Sequence, residues 1–153
     1  MKKYKLSDET KMMPWGTVLH RIVATTTFKV ACGLTINAGD VGGWIEKESN
    51  LSDNAWVSDN AKVFGNALVR DNAWIHGDAK VMSTSDYVVF KDNWSSGRYF
   101  TWTKSNDKWA EDCFYGTGDE LIKKAYADSE DSGKHYEACV KSVETLKNVE
   151  QEK

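Results

Sequence analysis

The chain has 153 residues, with 20 Lys+Arg against 23 Asp+Glu and 41% hydrophobic side chains, enough for one core-bearing domain or two small ones and too little for a large multidomain enzyme. A net charge of -3 supplies no basic stripe able to displace counterions from nucleic acid, so direct nucleic-acid binding is not expected. The longest apolar run, Tyr87-Val88-Val89-Phe90, is too short for a membrane-crossing helix or a secretory leader, which makes a cytoplasmic location the expectation.

Residues 17–23 alternate apolar and polar as a half-buried strand does, and residues 28–32 offer a strand to pair with it. A glycine-rich stretch, 39–43, turns the chain into Trp44, so residues 1–44 read as an N-terminal cap.

From residue 45 a six-residue period sets in. Ser-Asp-Asn-Ala-Trp-Val at 52–57 is followed by Ser-Asp-Asn-Ala-Lys-Val, Phe-Gly-Asn-Ala-Leu-Val, Arg-Asp-Asn-Ala-Trp-Ile and His-Gly-Asp-Ala-Lys-Val. Ile45, Leu51, Val57, Val63, Val69, Ile75 and Val81 form an aliphatic column, and Ala55, Ala61, Ala67, Ala73 and Ala79 form a small column two residues earlier. The Asp-Asn, Gly-Asn and Gly-Asp pairs between them are turn formers, so each hexad predicts one short strand and one corner. A strict period of six argues for a parallel β-helix, and its aliphatic-and-small form resembles the left-handed kind, in which three hexads close one coil.

Residues 18 apart then stack in neighbouring coils. Trp56 falls beside Trp74 with Ser58 beside His76; Trp44, Lys62 and Lys80 fall together with Glu46, Phe64 and Met82; Asn50 and Leu68 fall with Ser52 and Arg70. Strand alternation points these residues outward, giving apolar ladders that a monomer rarely leaves bare. A homo-oligomer, dimer favoured over trimer, is expected to cover a ladder or the open coil end.

After residue 82, the segments 86–90, 98–103 and 108–114 read as three strands, the last two joined by Lys104-Ser105-Asn106-Asp107. Helical spacing then places Leu121, Ile122, Ala125 and Tyr126 on one face and Tyr136, Cys139, Val140, Val143 and Leu146 on another. The expected fold is mostly β: an N-terminal β cap at 1–44, a short left-handed parallel β-helix at 45–82, and a C-terminal α+β (β-β-β-α-α) domain at 83–153.

Cys32, Cys113 and Cys139 are odd in number and lack Cys-x-x-Cys spacing, so they read as structural thiols. His20 and His135 are isolated, and Asp53, Asp59, Asp71 and Asp78 recur beside turn-forming Asn or Gly, so neither a metal nor a cofactor is expected. His76 is the one histidine of the hexads and the candidate general base of an acyltransferase-like site, but no loop insertion walls a pocket beside it. Seven tryptophans exceed what a core of this size needs. Trp56, Trp74, Phe64 and Met82 on the ladders, with Trp102 and Trp109 in the C-terminal strands, are the candidate protein-binding residues.

Tyr4-Lys5-Leu6-Ser7-Asp8-Glu9-Thr10, the run Gly39-Asp40-Val41-Gly42-Gly43-Trp44-Ile45-Glu46-Lys47-Glu48, the following Asn50-Leu51-Ser52 and the hexads together resemble a family of hexapeptide-repeat proteins frequent in bacteriophages and prophages. Cys113-Phe114-Tyr115-Gly116-Thr117, ahead of two helices, resembles the C-terminal domain that many of them carry. The resemblance implies a viral or prophage source and no family-wide activity. Combined with the missing catalytic constellation, it leads to the expectation of a non-enzymatic phage accessory protein that binds and inhibits a host protein, above all an immunity component such as a CRISPR-associated nuclease. The alternatives are a sponge for a small signalling nucleotide, with Lys62, Lys80 or Arg70 on phosphate, and an acyltransferase-like enzyme.

Overall fold

Residues Tyr4–Met12 form β1 although YKLSDETKM shows no alternation. The strand lies at a sheet edge, pairs among the described residues only with β2 (Val18–Ala24), and carries an irregularity between Leu6 and Thr10 that frees it from a strict register. At the hairpin tip the Met13 N–H donates to Thr17 O at 2.8 Å and the Gly16 N–H to Met13 O at 2.9 Å, with Gly16 at a φ of +99° that favours glycine. The computed structural model describes residues 2–30, 34–52, 54–111 and 114–151. Cys32, Cys113 and Asp53, on which thiol and turn readings fall, lie outside the described residues.

Strands β3 (Phe28–Lys29) and β4 (Thr35–Ile36) pair with each other, so the segment after Phe28 is not the partner of β2. That place is taken on one side by β1 and on the other by β5 (Val41–Ile45). The hexads supply β6 (Trp56–Val57), β7 (Lys62–Val63), β8 (Trp74–Ile75) and β9 (Lys80–Val81). Residues 18 apart pair in parallel: Trp44 with Lys62 with Lys80, Trp56 with Trp74, and Leu51 with Val69 through a lone bridge.

The fold class expected from the hexads is nevertheless corrected. The parallel ladders are two residues wide and divided: β7 and β9 extend the antiparallel β1-β2-β5 arrangement into one mixed five-stranded sheet, while β6 and β8 stand as a separate pair. The protein is a set of small mixed sheets with two helices, and no solenoid is present among the described residues. Repeats bury their apolar face only by stacking, and so few hexads leave much of that work to flanking strands. Tyr4, Ile22, Ala24, Phe28, Val30 and Ile36 accordingly share one core cluster with the hexad aliphatics.

The C-terminal segment has four strands, one more than expected: β10 (Tyr87–Lys91), β11 (Tyr99–Thr103), β12 (Lys108–Glu111) and β13 (Phe114–Gly116), antiparallel in that order. One face, through Ala110, Tyr87 and Val89, packs on the hexad core. The other, through Phe100, Trp102 and Trp109, packs on α1 (Gly118–Asp128) and α2 (Glu130–Gln151). Thr117 caps α1, accepting the Glu120 N–H while Glu120 accepts the Thr117 N–H. Among the described residues, no helix is long and apolar enough to cross a membrane.

This segment also closes the last hexads. The Trp74 N–H donates to Thr101 Oγ1 at 3.1 Å, the Lys80 N–H to Ser105 Oγ at 2.7 Å and the Met82 N–H to Asp86 Oδ2 at 2.8 Å. The open end that a second copy was expected to cover is thus covered within the chain.

Candidate functional site

Of the six residues expected to face a partner, five are buried. Trp56 lies edge-on under Phe28, ring centroids 5.7 Å apart, in the hexad core. Trp74 is covered by the C-terminal sheet and by the His76 ring, stacked at 4.4 Å. Trp102 and Trp109 face each other across β11 and β12 in the helix-side core, and Phe64 lies beneath Trp15. Only Met82 is exposed, at 56%. The ladders are therefore not bare: alternation gives the side of a strand on which a residue lies, and the flanking segments have folded over that side.

The exposed surface sits instead at the tip of the β1–β2 hairpin. Trp15 is 59% exposed, more than any other tryptophan, with its ring 5.6 Å from Phe64. Met13, Leu19, Trp44 and Phe64 form a small buried cluster under it. Met12 and Val18, opposite each other at the hairpin's end, are exposed as well. Met82 follows Val81 as Phe64 follows Val63, so it stands beside Phe64 on the same side of the ladder. Trp15 escaped the sequence reading because it lies in no repeat; the signal was its place between Pro14 and Gly16, where a turn must present it.

Cations adjoin this patch. Around Trp44 are the Arg21 guanidinium, 4.5 Å from the ring centroid, and Lys11 Nζ, 5.3 Å from it, with Lys62 and Lys80 next in register. Arg21 is occupied by Glu9 and by the carbonyls of Gly42 and Asp59. Lys11, Lys62 and Lys80 have no carboxylate within ion-pair distance among the described residues. Partial burial, reinforced by Lys11 and Lys80 and opposed by Asp78, holds the Lys62 ammonium below its ordinary pKa. Arg70 stands apart, paired with Asp71 at 3.3 Å on another face.

His76 occupies a corner of different character. Its Nδ1 is 2.7 Å from Ser58 Oγ, which also accepts the Trp74 indole N–H at 2.8 Å. Because an indole only donates, Ser58 Oγ accepts from Trp74, while the tautomer of His76 sets which of Ser58 and Nδ1 donates to the other. Tyr115 meets the imidazole edge-on at 4.9 Å, so the corner ties the hexads to β13. A hydroxyl on a neutral imidazole is a nucleophile–base contact, but here an indole donor and two aromatic rings immobilise it. Burial holds His76 below its ordinary 6.5, with Asp59 opposing. The folded state therefore favours neutral imidazole, and this contribution is complete above the ordinary value and lost as pH falls through the lowered one. The melting temperature is expected to fall more steeply on acidification in the wild type than in His76→Gln, with a His76 titration midpoint by NMR below 6.5. A midpoint at or above that value refutes the clamp.

A cavity of about 760 Å³ lies elsewhere, lined by Lys2, Lys3, Tyr4, Glu48, Asn54 and Asp71 among others. Its cations are engaged, Lys2 with Glu48 at 2.9 Å and Lys3 with the Asn54 side chain. No group of three or more His, Cys, Asp or Glu able to hold a metal occurs among the described residues. No family model matches the chain, and no curated protein matches it.

Proposed function

We propose that this protein is a non-enzymatic binding module that docks on a host protein through the hairpin-tip face: Trp15 and Met82 over Phe64, flanked by Lys62 and Lys80. The observation that carries the reading is Trp15, which the fold places in solvent on a buried aromatic, while five of the other six tryptophans are buried and Trp94 is partly so. A large apolar side chain held by a packed base is the arrangement of an interface anchor, since it buries much area with few rotatable bonds to immobilise. Lys62 and Lys80, which lack an ion-pair partner among the described residues, select a partner whose facing surface is acidic, and they act chiefly on encounter rate. Resemblance to phage proteins supplies the choice of a host immunity component, such as a CRISPR-associated nuclease, as the protein bound and inhibited. The Ser58–His76 contact is assigned a structural role.

The test is copurification from host lysate, followed by titration of the purified partner. Trp15→Ala is expected to weaken binding by about 2 kcal/mol or more, roughly thirtyfold, with an unchanged melting temperature. Replacing Lys62 and Lys80 by Glu should slow association and flatten its salt dependence. A partner that binds Trp15→Ala and Met82→Asp as tightly as the wild type would place the interface elsewhere, and a lysate yielding no stoichiometric protein would remove the reading.

A further inference from the structure

The four-stranded sheet has two edges. At one, β13 runs directly into the capped start of α1. At the other lies β10, whose sequence YVVFK contains the longest apolar run of the chain, with Tyr87, Val88, Val89 and Phe90 all half-buried. Among the described residues its only strand partner is β11. The Lys104 N–H donates to Asp86 O and the Asp92 N–H to Arg98 O across this pair. By the alternation of an antiparallel ladder, Val88 and Phe90 therefore exchange hydrogen bonds with Trp102 and Phe100, while Tyr87, Val89 and Lys91 turn their backbone groups outward.

The edge formed by β1 is guarded by a break in register and by Lys5, Asp8, Glu9 and Lys11, the usual devices against strand addition. No such device protects β10: its register is unbroken, it has no proline, and its one charge is the terminal Lys91. Beside it, Leu146 and Val149 of α2 are about half exposed and join Val88 and Trp102 in lining a groove of about 310 Å³.

We propose that β10 is a dimerisation edge, occupied by β10 of a second copy of this chain running antiparallel across a two-fold axis at Val89. The outward groups are self-complementary about that residue. Val89 meets Val89 of the partner subunit with both N–H groups donating across the axis, and Tyr87 meets the partner's Lys91. On the helix side, Val88 faces the partner's Phe90, which extends the apolar strip of Leu146 and Val149. The flanking carboxylates do not oppose the pairing, because each is engaged in its own chain: Asp86 Oδ2 accepts the Met82 and Ser83 N–H groups, and Asp92 accepts the Arg98 N–H and the Ser96 hydroxyl. The surface shares no residue with the hairpin-tip face, so this inference is independent of the proposed function.

Light scattering of the full chain should give a dimer mass at about 100 µM, and Val88→Lys should shift it to monomer with an unchanged far-UV circular dichroism spectrum. Register is read by cysteine placement. Across a hydrogen-bonded pair the Cα atoms are about 5.5 Å apart, within disulfide reach, so Val89→Cys should cross-link on mild oxidation at least about fivefold more than Val88→Cys. A monomeric wild type overturns the proposal, as does equal cross-linking at the two positions or a dimer that Val88→Lys leaves intact. Should Val89→Cys fail to fold, the wild-type mass and the Val88→Lys variant still decide.

Discussion

Val69→Asp is expected to unfold the protein, whereas Arg70→Ala, one residue along, leaves it folded. Val69 is 0% exposed, bridges to Leu51, and is bracketed by hydrogen bonds from its own N–H to Asn50 O and from the Ser52 N–H to its carbonyl, both 2.9 Å. A carboxylate there has no cation to meet within the hexad core, so it must stay charged in an apolar site or take up a proton. Either way the cost is several kcal/mol, against a total stability of about 5–15 kcal/mol for a domain of this kind. Val69→Ala grades the effect at about 2 kcal/mol, from lost methyl transfer and a small cavity. Arg70 is exposed and paired only with exposed Asp71, an interaction worth about 0–1 kcal/mol. Thermal and urea denaturation followed by circular dichroism distinguish these outcomes. Equal losses of melting temperature in Val69→Asp and Arg70→Ala would show the inward column to be misassigned.

That column was the part of the fold most open to sequence reading. The aliphatic position of each hexad, from Ile45 to Val81, is buried, and so are Ala55, Ala61, Ala67, Ala73 and Ala79, two residues before the last five of them. A period shared by side-chain type and by strand position leaves one geometric solution for which residues point inward. What surrounds the column was not legible, because it is set by non-local pairing. Strand β1 has no alternation to betray it; it is held by backbone bonds and by Tyr4, whose hydroxyl donates to Glu48 O at 2.6 Å and to Leu51 O at 2.9 Å. Burial of that hydroxyl beside Glu48 pushes the Tyr4 pKa up to about 12. The tryptophans illustrate the same limit. Alternation placed Trp56 and Trp74 outside the column, but only the tertiary structure brings Phe28 over one and His76 with the C-terminal sheet over the other. Residue 15, which no pattern contained, was left in solvent. Exposure was thus misread where cover is long-range, and missed where presentation depends on a turn.

Gly43→Val is expected to destabilise the fold by several kcal/mol, and Gly43→Ala by about 1–3 kcal/mol, the range for overpacking. The reason is space. A Cβ at Gly43 would lie 2.7 Å from Ala61 O and 2.7 Å from Val57 Cγ1, and one at Gly42 would lie 2.6 Å from Val57 O. Ala61 O is the acceptor of the Trp44 N–H at 3.0 Å, so a methyl at 43 pushes on the bond that joins β5 to the hexads. Strand β5 is where the antiparallel hairpin passes into the parallel ladder, and a backbone shift there moves Trp44 and the Phe64 base on which Trp15 rests. Val41→Ala in the same strand, at a side chain 60% exposed, should change stability by less than about 0.5 kcal/mol. Differential scanning calorimetry of the three variants tests the argument, and Gly43→Ala melting with Val41→Ala would refute it. The pairing with function is distinctive: Gly43→Val should lose partner binding together with melting temperature, whereas Trp15→Ala should lose binding alone, which separates the residue that builds the surface from the residue that makes the contact.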